Sequence, residues 1–280
     1  MAQIAKRTLF LGHSPDPDDA FMFYALAKEK IDTRGWKFEH VLQDIQTLNE
    51  RAMRGELDIT AISIHAYAYV ASNYALLRCG ASMGLRYGPM IVAREAFDVS
   101  RLRELTVAVP GTMTSAFLAL KLYIGEFPYE VVPFDEIIPA VQAGRYDAGL
   151  IIHEGQLTYE AAGLHKLLDL GEWWWEQTHL PLPLGGNAVR RDLGEEAIRE
   201  ISEIVRESIQ YGLDHREEAV RYALQWARDM DTSLADQFIG MYVNDLTLDY
   251  GPTGCKAVEE FLRRAEEKKL VPRIPELVFY

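Results

Sequence analysis

Twice in this chain a helical pattern ends in glycine, continues for two residues to an aspartate and then enters an apolar strand. The first copy is Met53-Arg54-Gly55-Glu56-Leu57-Asp58-Ile59-Thr60-Ala61-Ile62-Ser63. The second is Gln142-Ala143-Gly144-Arg145-Tyr146-Asp147-Ala148-Gly149-Leu150-Ile151-Ile152-His153. Each glycine suits the left-handed residue that closes a helix. Each buried strand then delivers its C-terminal residues to a sheet edge, where α/β folds gather their ligand sites. One copy alone is ordinary helix-to-strand chemistry. Two copies predict two lobes built alike and facing a shared cleft, and 280 residues accommodate two such lobes.

Strand-like runs alternate with helical patterns through the first two thirds, as in βα units with a mainly parallel sheet. From Glu195 to about Lys268 the periodicity is helical throughout. The expected fold class is therefore α/β and two-lobed, with a ligand cleft between the lobes and a helical C-terminal section. Crossovers are expected near Val92-Ala93-Arg94 and Leu184-Gly185-Gly186-Asn187, the glycine pair serving as a hinge or marking a bulge. Residues 1–93 and 188–280 then form one lobe and residues 94–187 the other.

Two turns stand out as ligand seats. After Leu9-Phe10-Leu11, Asp16 suits an N-cap, Pro17 the first helical position, and Asp18 and Asp19 the first turn, where carboxylates favour the helix dipole. After Leu105-Thr106-Val107-Ala108-Val109-Pro110-Gly111, Thr112, Thr114 and Ser115 bring hydroxyls and free N–H groups to a helix start. Helix capping explains both turns equally well.

Among the histidines, His153 closes an apolar strand at the edge where ligand sites gather, and an imidazole there can serve as a general base. A hydrogen-bonded structural histidine fits the same position. His65 occupies the comparable region of the first copy and reads as structural. His13 beside Ser14 reads as a possible cleft residue, and the remaining histidines as packing or surface residues. There is no phosphate-binding glycine loop with a lysine, no nucleophile elbow and no His-Glu-x-x-His. Asp16, Asp18 and Asp19 lack the other ligands of a calcium loop, so capping is preferred. Trp173-Trp174-Trp175 reads as packing.

Charge and cysteines narrow the partners. Lys and Arg number 29 against 42 acidic residues, a net charge of −13 that repels nucleic acid and anionic lipid. Cys79 and Cys255 are spaced for neither a zinc knuckle nor a redox pair. No apolar run approaches the length of a membrane span. Met1 to Arg7 leads straight into Thr8-Leu9-Phe10-Leu11 without the apolar core of a signal peptide, so a cytoplasmic protein is expected. Its partner is expected to be a small molecule; oligomeric state is not legible.

Three stretches together resemble the 1,4-dihydroxy-6-naphthoate synthase family of the futalosine route to menaquinone. They are Ser14 to Leu26, Gly149-Leu150-Ile151-Ile152-His153-Glu154 and Leu180-Pro181-Leu182-Pro183-Leu184-Gly185. The resemblance implies a type II periplasmic-binding-protein-like fold used as a lyase. Its substrate would be cyclic dehypoxanthine futalosine and its products 1,4-dihydroxy-6-naphthoate and dihydroxyacetone, formed without metal or redox cofactor. His153 matches the family's base, while Thr114, Ser115 and the stretch Ala61-Ile62-Ser63 match its substrate contacts. The chain departs from the pattern at Asp16 and Asp18, where the family usually has Cys and Asn, and at Ala61, where a Lys often stands. Arg86 or Arg94 is then the expected replacement cation. Chorismate dehydratase, which shares the fold, and a non-catalytic cytoplasmic binding protein are the alternatives.

Overall fold

The structure, a computed structural model, describes residues 7–227, 231–274 and 277–280. The opening residues 1–6, read above for leader character, lie outside them. Two sheets carry the strands. The first contains β1 (Thr8–His13), β2 (Lys37–Leu42), β3 (Ile59–Ser63), β4 (Tyr74–Leu76), β5 (Ser82–Gly84) and β11 (Leu182–Arg190). The second contains β6 (Met90–Ala93), β7 (Val107–Val109), β8 (Tyr129–Val131), β9 (Ala148–Ile151) and β10 (His165–Asp169).

The order is β2-β1-β3-β11-β4 in the first sheet, with β5 on β11, and β10-β6-β9-β7-β8 in the second. Each sheet has a parallel trio, β2-β1-β3 or β8-β7-β9, flanked by an antiparallel strand arriving from the other lobe. Those arriving strands, β11 and β6, make the sheets less parallel than the sequence pattern implies.

The repeat is real in three dimensions. Gly55 and Gly144 both adopt left-handed φ, 66° and 72°. Asp58 accepts the Phe10 N–H on the neighbouring parallel strand, and Asp147 accepts the Thr106 N–H just before its neighbour. Each aspartate thus ties its own strand to the next one.

Both crossings fall earlier than expected. β6 includes Val92 and Ala93 and pairs within the second sheet, so the chain crosses between Gly84 and Met90. The return precedes Leu182, because Gly185 and Gly186 already pair with Ser63 and Ile62 in the first sheet. The glycine pair is therefore inside a strand rather than at a hinge, beside a register shift between Pro183 and Gly185.

The helices on the first lobe are α1 (Pro17–Met22), α2 (Tyr24–Ala27), α3 (Ile45–Met53) and α4 (Ile64–Val70). The second lobe carries α5 (Ser115–Ile124), α6 (Ile137–Gln142), α7 (Gly155–Thr158) and α8 (Leu170–Thr178). The C-terminal section is helical as expected: α9 (Glu195–Asp214), α10 (Arg216–Ala223), α11 (Thr232–Tyr242), α12 (Asp245–Leu248) and α13 (Gly251–Glu267). Helix α9 buries Ile198, Ile201, Val205 and Ile209, one stripe at helical spacing, against Leu9, Leu11 and Phe21. The tryptophan run packs: Trp174 is fully buried, meets Phe261 of α13 edge-on and donates to the Pro181 carbonyl.

Candidate active site

A cleft with an interior volume of about 130 Å³ lies between the lobes, narrow in this arrangement for a small-molecule site. Its first-lobe wall is Ser14, Asp16, Asp18 and Asp19 from the β1–α1 turn, Ala61-Ile62-Ser63 from the end of β3, and Gly185 to Asn187 of β11. The second lobe contributes Pro89, Thr114, Ser115, Ala116 and Ile152, and helix α11 adds Phe238 and Tyr242.

Hydrogen bonds cross between the lobes around this cleft. Met113 N–H donates to Gln46 Oε1 at 3.1 Å and Asn49 Nδ2 donates to the Met113 carbonyl at 3.3 Å. Ser115 Oγ donates to the Leu184 carbonyl, and His65 donates from Nδ1 to the Thr114 carbonyl at 3.2 Å. His65 is thereby a structural tie to α5, and burial lowers its pKa to about 4, so it stays neutral.

Of the hydroxyls nominated from sequence, Thr114 and Ser115 are already committed. Thr114 Oγ1 donates to the Gly111 carbonyl and accepts the Phe117 N–H, a full N-cap, while Ser115 Oγ is held by Leu184 and the His65 N–H. They serve a ligand chiefly through the α5 start, where the Ser115 and Ala116 N–H groups have no partner within the helix. Ser63 differs. Its Oγ accepts from Asn49 Nδ2 at 3.0 Å, which leaves its own O–H to donate into the cleft. Ala61 and Ile62 supply apolar wall.

Among the described residues lining the cleft there is no Lys, Arg or His. Arg86 lies over the Trp175 ring, 4.6 Å from its centroid, and Arg94 is exposed beside Gly144, so neither supplies the expected cation. Electrically the first-lobe wall is acidic. Asp16 takes the Ser14 hydroxyl at 2.5 Å and Asp19 the Ser14 N–H at 2.6 Å, so Asp16 stands at the N-cap position without capping through its side chain. Burial, then Asp19 and Asp16, push the Asp18 carboxyl well above the usual range, and burial likewise raises Asp19.

His153 is not among the cleft-lining residues, although Ile152 before it is. Gly155 N–H donates to Nδ1 at 2.9 Å and Nε2 lies 2.9 Å from the Phe134 carbonyl, so the ring carries its proton on Nε2. Both ring nitrogens are thus engaged inside the second lobe. His13, another candidate cleft residue, is buried behind the wall, bonded to the Ser14 carbonyl and to His40.

Sequence reasoning missed Asn187, Phe238 and Tyr242. Asn187 carries a buried Oδ1 without a hydrogen-bond partner among the described residues. Phe238 and Tyr242 come from a C-terminal helix whose own pattern says only that one face is buried.

Comparison with known proteins agrees with this architecture. An alkanesulfonate-binding protein from Xanthomonas axonopodis pv. citri superimposes with a TM-score of 0.70 at 12% identity over 96% of each chain, a likeness of fold alone. A solved protein from Archaeoglobus fulgidus gives a TM-score of 0.91 at 45% identity, covering 94% of this chain and 98% of that one. A curated relative from Thermus thermophilus, named 1,4-dihydroxy-6-naphthoate synthase, is 42% identical over 97% of this chain and 98% of its own. One of the same name from Streptomyces coelicolor is 41% identical over 95% and 96%. The profile of a family described as "Menaquinone biosynthesis" matches residues 9–267. With that match and full-length relatives above 40% identity, the chain belongs to the menaquinone-biosynthesis family.

Proposed function

We propose that this enzyme is a carbon–carbon lyase that converts cyclic dehypoxanthine futalosine to 1,4-dihydroxy-6-naphthoate and dihydroxyacetone. The observation that carries the reading is full-length identity of 42% and 41% to two proteins named for synthesis of that naphthoate. The chemistry of the cleft lining suits such a substrate once the lobes part to admit it. A carboxylate on the bicyclic ring has the Ser63 hydroxyl and the N–H groups at the α5 start as donors, an anion seat that works without a cation. The hydroxyls of the sugar-derived part have carboxyl oxygens of Asp16, Asp18 and Asp19 as acceptors, and Phe238, Ile62 and Ile152 supply apolar surface for the rings.

His153 is the proposed base. Its ring turns toward the cleft, leaving the Gly155 N–H as well as the Phe134 carbonyl, and the unprotonated Nδ1 takes a hydroxyl proton of the substrate. The resulting alkoxide collapses to a carbonyl as the adjacent carbon–carbon bond breaks, and the bond's electron pair passes into the bicycle. Lobe closure excludes water and aligns the breaking bond. The test is incubation of purified protein with cyclic dehypoxanthine futalosine, following both products by mass spectrometry. Both appearing supports the lyase. Tight binding of the substrate with no product would leave a binding protein instead.

A further inference from the structure

We propose that Tyr242 and Gln156 form a latch across the cleft that fixes the turn carrying His153, making Gln156 a positioning residue. The proposal rests on the lyase reading and on His153 as its base. Gln156 lies in α7, a single helical turn that starts two residues after His153, and its N–H donates to the His153 carbonyl at 2.9 Å. Its side chain leaves the second lobe: Oε1 accepts from the Tyr242 hydroxyl at 2.7 Å. Both side chains are buried, each 3% exposed.

The Tyr242 end of this bond is firmly held. Tyr242 closes α11, and its carbonyl accepts from Thr247 Oγ1 at 2.8 Å. Tyr87, on the crossover leaving the first lobe, donates to the adjacent Met241 carbonyl and meets the Tyr242 ring edge-on at 5.9 Å. The Gln156 end is a four-residue helix held within its own turn by backbone bonds from Leu157 to Glu154 and from Tyr159 to Gly155. The latch thus joins α7 to α11.

The consequence falls on His153. Ile152 on one side lines the cleft, and Gln156 on the other is tied to the cleft-lining Tyr242. With the backbone bracketed in this way, a side-chain rotation suffices to free Nδ1 from the Gly155 N–H and present it to the substrate. Gln156 Nε2 is buried with no hydrogen-bond partner among the described residues, so nothing else there holds the amide in place.

Tyr242→Phe, Gln156→Ala and the double variant test this by steady-state turnover of cyclic dehypoxanthine futalosine. We expect kcat to fall by about 10- to 100-fold in each single variant, the scale of a misplaced catalytic group, with KM changed less than about threefold. The double variant should be no worse than the poorer single one, because both remove the same bond. Hydrogen exchange without substrate should show residues 152–159 exchanging faster in both single variants, the rest of the chain unchanged. Multiplying kinetic losses, a loss confined to KM, or unaltered exchange over 152–159 would overturn the latch. If the wild-type protein fails to turn over the substrate, the lyase reading falls, while the exchange measurement still decides whether the latch exists.

Discussion

Replacing Asp18 with Asn removes one charge from the turn that walls the cleft and keeps the side chain's size. Burial raises the neighbouring Asp19 carboxyl from 3.8 to about 7, and burial, Asp19 and Asp16 raise Asp18 itself. A carboxyl whose folded pKa exceeds its unfolded value binds its proton more tightly when folded. It therefore subtracts stability as pH rises from the unfolded value through the folded one, here from 3.8 to about 7. Full ionisation of Asp19 across that gap would cost ~4 kcal/mol. Asp19 is only half-buried by surface exposure, so solvent screening lowers its expected cost to about 1–2 kcal/mol, and Asp18, half-buried beside it, is raised in the same direction. Asp18→Asn should accordingly stabilise the protein by about 1–2 kcal/mol near pH 8 and by almost nothing near pH 3.5. Urea denaturation of both proteins at the two pH values measures this, and the difference between them cancels the titration of His13, His40 and His65. An equal effect at both pH values would refute the electrostatic account. Destabilisation at pH 8 would mean that attraction of the Asp18 carboxylate to the α1 N-terminus outweighs repulsion within the cluster.

His153→Ala should abolish product formation while calorimetric binding of the substrate changes less than about threefold; unchanged turnover removes the base. Ser63→Ala deletes the hydroxyl whose proton is left for the ligand, and should raise KM by about tenfold with kcat nearly constant, measured by steady-state kinetics. Gly171→Ala would place a Cβ 1.9 Å from the Tyr87 carbonyl oxygen, a backbone atom that cannot yield cheaply. It should destabilise by about 2–3 kcal/mol in a urea melt, and a neutral result would mean that the crossover shifts freely.

What was legible in the sequence was local. The two Gly-x-x-Asp copies were readable because a helix stop and a buried strand are written in consecutive residues, and the left-handed Gly55 and Gly144 follow. The crossings were not, since Met90-Ile91-Val92-Ala93 has the same apolar pattern whichever sheet receives it. Its partners β9 and β10 are distant in sequence. The α5 start was predictable as a ligand seat, but the directions of its Thr114 and Ser115 hydroxyls depend on Gly111 and Leu184, and that of the Ser63 hydroxyl on Asn49, of which only Gly111 is close in the chain to the hydroxyl it directs. His153 was singled out by its place at a strand end. Its present bonds to Phe134 and Gly155 depend on how the second lobe folds around it.

The position of β11 also bears on how the polypeptide emerges from the ribosome. This nine-residue strand pairs with β3, β4 and β5, so the first sheet lacks its central member until Leu182–Arg190 has been made. The second sheet is drawn entirely from residues 90–169 and needs no strand from elsewhere. The middle of the nascent chain should thus fold before its beginning, which waits with an unpaired β3 edge exposed to neighbouring chains. Slowing translation between β10 and β11 would lengthen that wait and raise aggregation, even though every residue of the final protein is unchanged.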